Sequence, residues 1–168
     1  MSPEASPPGT TRVGWGFDAH HLEANPPLIL GGIRVSEMVG VSATSDGDVL
    51  AHAVIDAVLG ACALSDLGEH FPSDDPALEG ADSLSLLETA VAMAAAAGWH
   101  VAHLDATVVA EEIRIAPYRE AIRARLAGCL GTDVRAVSVK ATTTDGLGFI
   151  GRGEGLVAVA VVTVTALP

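Results

Sequence analysis

The sequence predicts an α+β fold, a mixed β-sheet with helices layered on one face. Three observations carry this expectation. Strand-like and helix-like segments follow the order strand, helix, helix, strand, helix, strand, strand, which is not the strict alternation of a doubly wound α/β chain. The helix-like segments are rich in Ala, Val and Leu, which suits close packing on a sheet. The last strand-like segment, LVAVAVVTVT, is almost continuous in apolar residues, so both of its faces leave water. Helices account for one face; a second copy of the chain is the economical cover for the other, and a homo-oligomer is expected.

The elements follow in chain order. Residues 1–10, MSPEASPPGT, have neither a basic start nor an apolar core, so they read as a disordered tail and not as a signal peptide. Residues 11–168 suffice for a single domain. Thr11 to Ala19 reads as a strand, and LILGGIRV as a hairpin around Gly31-Gly32. Asp46 or Asp48 caps a helix running to about Leu64. GEHFPSDDPALEGAD is expected to be loop. Ser83 to Ala97 forms the second helix, with Ser85 and Glu88 at capping-box spacing and Gly98 as its stop. His100 to Ala110 is a strand, and the third helix has Pro117 in its first turn and Gly131 at its end. Val137 to Thr144 and Leu156 to Thr165 are strands separated by the glycine-rich DGLGFIGRGEG.

Composition narrows the function. A formal net charge of −12 argues against a nucleic-acid partner, because phosphate backbones are bound through clustered Lys and Arg. Acidity points instead to cations. Cys62 and Cys129 lack CxxC spacing and read as reduced, buried thiols of a cytoplasmic protein. No apolar run is long enough to span a membrane.

In a strand, Asp18 and His20 share one face while His21 points away. His52, in the first turns of the helix after Ser45-Asp46-Gly47-Asp48, adds a third donor, and Asp56 one turn later is placed to orient its imidazole. One carboxylate and two imidazoles suit zinc and leave a tetrahedral position open for a substrate oxygen. His70, His100 and His103 lack such spacing and read as solvent-facing or satisfied in the core.

A second constellation is KATTTDGLGFIGRGEG. Continued strand register puts Thr143 and Asp145 on one face, and Lys140, Thr142 and Thr144 on the other. A hydroxyl beside a carboxylate can hold a phosphate oxygen and a hydrated divalent ion, while Arg152 offers a planar fork for phosphate. Two divalent ions bring enough local positive charge to receive a diphosphate on an acidic protein.

Gly14-x-Gly16-Phe17-Asp18-x-His20, Ser45-Asp46-Gly47-Asp48-Val49-x-x-His52-Ala53, Asp56-Ala57, Asp66-Leu67-Gly68, Phe71-Pro72, and Ala141-Thr142-Thr143-Thr144 through Gly151-Arg152-Gly153-Glu154-Gly155 resemble, in order, the 2-C-methyl-D-erythritol 2,4-cyclodiphosphate synthases. The resemblance implies a homotrimer whose sheets pack inward around the trimer axis, with active sites at subunit boundaries. It implies cyclisation of 4-diphosphocytidyl-2-C-methyl-D-erythritol 2-phosphate with loss of CMP in the non-mevalonate isoprenoid pathway. Asp18, His20 and His52 then hold zinc, and a second ion, magnesium or manganese, sits between the phosphates. Asp66, Leu67, Gly68, Phe71, Ser73 and Asp75 match positions at the erythritol, and Ala110, Arg114, Thr142, Thr143, Thr144 and Asp145 match the cytidine pocket. Thr44, Ser45, Phe149 and Arg152 also fall at substrate positions, with Thr44, Thr143 and Asp145 in the catalytic roles.

The chain departs from the family pattern at several of these positions. Thr44 stands where His is usual, which shortens a hydrogen-bonding group that supports the transition state. Ser73 replaces a common Asp, Asp145-Gly146 replaces the commoner Glu-Lys, and Glu111-Glu112-Ile113-Arg114 lacks a proline while Arg114 keeps a cationic charge. Two alternatives stay open: a zinc-dependent phosphoesterase on the same scaffold, and a non-catalytic trimer binding isoprenoid or diphosphate ligands.

Overall fold

In a computed structural model, which describes residues 7–168, five strands form one mixed sheet in the order β4-β1-β7-β5-β6. β1 (Thr11–Glu23), β7 (Gly155–Ala166) and β5 (Trp99–Val109) are the long central strands and pair antiparallel. β6 (Val137–Thr142) runs parallel to β5 at one edge, and the two-residue β4 (Gly40–Val41) closes the other. β2 (Leu28–Leu30) and β3 (Ile33–Ser36) form the expected hairpin around Gly31 and Gly32, which both adopt positive φ. Residues 1–6 of the expected tail lie outside the described residues. Pro7–Thr10 form a turn instead, with Thr10 N donating to Pro7 O and Thr10 O accepting from Ala166 N.

Helices lie on one face of the sheet, as the sequence predicts. α1 (Val49–Cys62) is buried along most of its length and packs on β1, β7 and α3 (Ser83–Ala96). Its approach to β1 is unusually close. A Cβ on Gly16 would sit 1.9 Å from Ala53 O, and one on Gly14 would sit 1.9 Å from Ala57 O, so only glycine lets this helix settle on the strand. Asp18 and His20 continue the same face of β1 past the two glycines. α4 (Arg119–Leu130) covers β6 and ends at Gly131 in the left-handed conformation. On the opposite sheet face, among the described residues, β1 leaves an apolar stripe exposed: Val13, Trp15 and Phe17 are 65%, 62% and 47% exposed, with the Trp15 and Phe17 rings stacked.

Several boundaries differ from the sequence reading. β1 continues four residues beyond Ala19, because His20 and His21 pair with β7 and Leu22 and Glu23 pair with β4. The cap of α1 is Asp48, not Asp46; its Oδ1 accepts from Leu50 N and Ala51 N. The expected loop begins inside α2 (Leu67–His70), which Asp66 caps, and contains a 3₁₀ turn at Pro76–Leu78. Asp82 caps α3, its carboxylate accepting from Leu84 N and from the Ser85 hydroxyl, so the helix is capped at Asp82 and not by a box of Ser85 with Glu88. Pro117 lies in a 3₁₀ turn ahead of α4, and the glycine-rich segment contains the short α5 (Gly148–Gly151).

Candidate metal centre and active site

The period of the strand puts the Asp18 and His20 side chains on the helix-bearing face, and the first turn of α1 brings His52 against them. Asp18 Oδ2 lies 2.8 Å from His20 Nε2 and 3.0 Å from His52 Nδ1. One donor atom from each residue falls within 4.8 Å of the others. His21 is exposed and points away, as the alternation requires. Burial opposes the charge on Asp18, yet the hydrogen bonds from His20 and His52 outweigh it and hold the carboxyl well below the usual carboxylate range. The bond to Asp18 raises His20 above the ordinary imidazole value, against the opposing effect of burial. Two nitrogens and one carboxylate oxygen can hold a divalent ion with a position to spare.

The supports of His52 differ from the expected ones. Asp56 does not orient the imidazole; its Oδ1 accepts from Leu67 N at 2.8 Å and so ties α1 to the start of α2. Burial raises the Asp56 carboxyl despite that bond. His52 Nε2 instead meets Ser83 Oγ at 2.9 Å and Ser45 Oγ at 3.2 Å. Ser83 went unremarked in the sequence because it reads as an ordinary helix-start residue. Its signal is burial, which the sequence does not print: it is fully buried and polar.

The three donors open on a cavity of about 330 Å³ whose lining includes Thr44, Ser45, Leu67, Phe71 and Ser73. Thr44 Oγ1 donates to Ser73 O at 3.1 Å, and Asp75 lines an adjoining cavity with both. Asp66 and Gly68 belong to the cap and first turn of α2 beside it. Ala110, Arg114, Thr142 and Thr143 line a separate cavity of about 360 Å³ together with Glu111 and Arg119, and this shares no lining residue with the first. Phe149 lines a fourth, smaller cavity with His20 and His21.

β6 ends at Thr142, so strand register does not place Thr143, Thr144 and Asp145. Asp145 has φ of 52°, a left-handed conformation, and Thr143 Oγ1 donates to its Oδ1 at 3.3 Å. The two side chains are neighbours through a turn and not through a shared sheet face. Glu111 holds that turn, its carboxylate accepting from Thr144 N and Gly146 N at 3.2 Å each. Arg152 is paired with Glu154 at 2.7 Å. Of the other histidines, His70 donates to Leu64 O at 2.6 Å, while His100 and His103 are exposed. Cys62 and Cys129 are free thiols, and burial pushes each up to about 11.

Fold and site together define an α+β protein with a two-histidine, one-carboxylate cation site at the junction of its central sheet and first helix. Residues 11–165 match the model of the YgbB family, and the chain belongs to that family. It is 52% identical over 153 residues to a 2-C-methyl-D-erythritol 2,4-cyclodiphosphate synthase of Chromohalobacter salexigens, covering 91% of this chain and 94% of that one. Among solved structures, the bifunctional IspDF of Campylobacter jejuni superposes with a TM-score of 0.93 at 37% identity, covering 96% of this chain and 44% of that one. A CDP complex of IspF from Plasmodium falciparum superposes with a TM-score of 0.83 at 28% identity, covering 97% of this chain and all of that one.

Proposed function

We propose that this chain is a 2-C-methyl-D-erythritol 2,4-cyclodiphosphate synthase, a phosphorus–oxygen lyase of the non-mevalonate isoprenoid pathway. It converts 4-diphosphocytidyl-2-C-methyl-D-erythritol 2-phosphate into the cyclic diphosphate with release of CMP. The observation that carries this reading is the convergence of Asp18, His20 and His52 at the wall of a cavity, in a chain about half identical to such synthases. In the reaction the substrate's 2-phosphate oxygen forms a bond to the β-phosphorus, and the β-phosphorus–oxygen bond to CMP breaks, its electron pair leaving with CMP.

Asp18, His20 and His52 hold zinc, and Asp145 contributes to a site for magnesium or manganese. When bound, the two ions supply Lewis-acid stabilisation of charge on the phosphoryl oxygens. The chain's own residues supply position. Asp66, Leu67, Gly68, Phe71, Ser73 and Asp75 receive the erythritol portion, and Ser45 lines the same cavity with a hydroxyl. Thr44 and Thr143 turn their hydroxyl protons away from Ser73 O and Asp145 Oδ1 to the reacting phosphates, where charge gathers in the transition state. Ala110, Arg114, Thr142 and Thr144 frame the cytidine; the first three line one cavity, and a relative of the same fold is a CDP complex. Phe149 packs against substrate, and the Arg152 fork turns to phosphate. Holding nucleophile and electrophile within one bound molecule supplies proximity, so no covalent intermediate on the protein is needed.

The active unit is a homotrimer. Among the described residues of one chain the metal cavity and the Ala110–Thr143 cavity are separate, while Val13, Trp15 and Phe17 form an exposed apolar stripe on the sheet. Packing three such faces inward buries them and lets neighbouring copies complete each site. The two free thiols accord with a cytoplasmic setting, and no helix among the described residues is long and apolar enough to cross a membrane. No observation favours the phosphoesterase or the non-catalytic reading.

The test is product analysis. Purified protein with zinc and magnesium is given the cytidylyl substrate, and products are followed by ³¹P NMR and chromatography. One CMP and one cyclic diphosphate per turnover are expected. Inorganic phosphate or a linear phosphate product overturns the reading.

A further inference from the structure

We infer that Ser83 and Asp46 form a positioning pair that receives the Nε2 proton of His52 and so keeps its Nδ1 lone pair aimed at the cation position beside Asp18. This rests on the metal-centre reading above and extends it to two residues that touch neither cation nor substrate.

The inference follows from counting protons. A cation held by His52 Nδ1 requires the imidazole proton to be on Nε2, and an N–H on a side chain only 11% exposed needs an acceptor. Ser83 Oγ lies 2.9 Å from Nε2. A hydroxyl has one proton and two lone pairs, so Ser83 accepts from His52 only if its own proton goes elsewhere. Asp46 takes it: Ser83 Oγ donates to Asp46 Oδ1, and Ser83 N donates to Asp46 Oδ2 at 3.2 Å. Asp46 is held to this acceptor role from the other side, because Asp48 N also donates to Oδ1, at 3.2 Å. The relay therefore runs from His52 Nε2–H to Ser83 Oγ–H to Asp46.

Position in the fold reinforces the wiring. Ser83 opens α3 and is fully buried, and Asp46 N donates to Ala81 O at 3.0 Å, so the two partners approach His52 from separate segments that are themselves tied together. Ser45 is the competing partner. Its Oγ is 3.2 Å from Nε2 but already accepts from Gly47 N at 3.2 Å, and its proton is not committed to a carboxylate. With Ser83 removed, Ser45 is as able to donate to Nε2 as to accept from it, and the donating arrangement puts the proton on Nδ1, where it blocks the cation.

The test measures zinc affinity and His52 protonation, not turnover. In the full-length protein, the zinc dissociation constant is read by competition with a chromophoric chelator. The His52 Nε2–H is followed by ¹H–¹⁵N NMR of the zinc-loaded, ¹⁵N-histidine-labelled chain. Ser83→Ala is expected to weaken zinc binding 10- to 100-fold, the range for loss of a supporting partner of a metal-bound histidine. Its Nε2–H signal is expected to move upfield and exchange faster. Ser83→Thr, which keeps the hydroxyl, is expected to restore both. Asp46→Asn, whose single amide oxygen cannot accept from both Ser83 Oγ and Ser83 N, is expected to weaken binding in the same direction, with a circular dichroism melt to check that the variant is folded. Wild-type zinc uptake with an unaffected Ser83→Ala overturns the inference alone. A wild-type chain that takes up no zinc overturns the metal-centre reading and the inference with it.

Discussion

Gly16→Ala tests how the packing of α1 on β1 builds the metal centre. The added Cβ would lie 1.9 Å from Ala53 O and 2.8 Å from Ala57 N, whereas ordinary contact begins at 3.4 Å. Backbone atoms cannot rotate aside, so α1 must retreat from β1 by about 1.5 Å, the difference between those distances. His52 is the neighbour of Ala53, and it rides on the helix while Asp18 stays on the strand. Their 3.0 Å approach opens by a similar amount, several times the ~0.2 Å tolerance of a metal–ligand distance. Overpacking of this kind costs roughly 1–3 kcal/mol. At about 2–4 °C per kcal/mol for a chain of this size, the melting temperature is expected to fall by roughly 2–12 °C. Zinc affinity is expected to fall at least tenfold. Gly60→Ala is the control: it lies in the same helix with nothing within 4 Å of the new Cβ, and should stabilise by about 1 kcal/mol. Calorimetric melts and chelator competition on both variants supply the readings. A Gly16→Ala protein with wild-type melting and zinc affinity would refute the link between the glycine face and the site.

His52→Ala is expected to abolish zinc uptake and CMP release while leaving a folded oligomer, checked by metal analysis and sedimentation. Burial pushes the Asp48 carboxyl up to about 6 from 3.8, so the native state holds its proton more tightly than the unfolded chain. Its charge therefore opposes folding above about pH 6, and stability is regained as pH falls from 6 toward 4. Denaturant melts should show Asp48→Asn lacking this rise, which amounts to roughly 3 kcal/mol; parallel curves for the two proteins would contradict it. Glu111→Ala removes the acceptor of Thr144 N and Gly146 N. Steady-state kinetics should show roughly fivefold lower kcat/KM, about 1 kcal/mol for the lost bonds, with zinc content unchanged.

The legible parts of the site were those fixed by local period. Alternation along one strand was enough to separate Asp18 and His20 from His21, because β1 keeps its pleat through these residues. The helix after Ser45-Asp46-Gly47-Asp48 was readable from its cap and its Ala/Val/Leu run, which placed His52 in the first turns. Long-range pairing hid the rest. β1 reaches Glu23 only because β4 and β7 lie alongside, and β4 is too short to carry any pattern of its own. Helical spacing suggested Asp56 as the partner of His52, but the carboxylate satisfies the exposed start of α2 instead. The true partner, Ser83, comes from a segment 31 residues away. Thr143 and Asp145 were correctly expected as neighbours for the wrong reason: the strand stops at Thr142 and a left-handed turn, braced by Glu111, brings them together.

A crystal grown with zinc and measured at the zinc absorption edge tests the central claim most directly. The account predicts one anomalous peak bonded at about 2.0–2.2 Å to a carboxylate oxygen of Asp18 and to ring nitrogens of His20 and His52, with a fourth ligand from solvent or substrate. No peak there, or a peak in which His21 replaces His20, would contradict it.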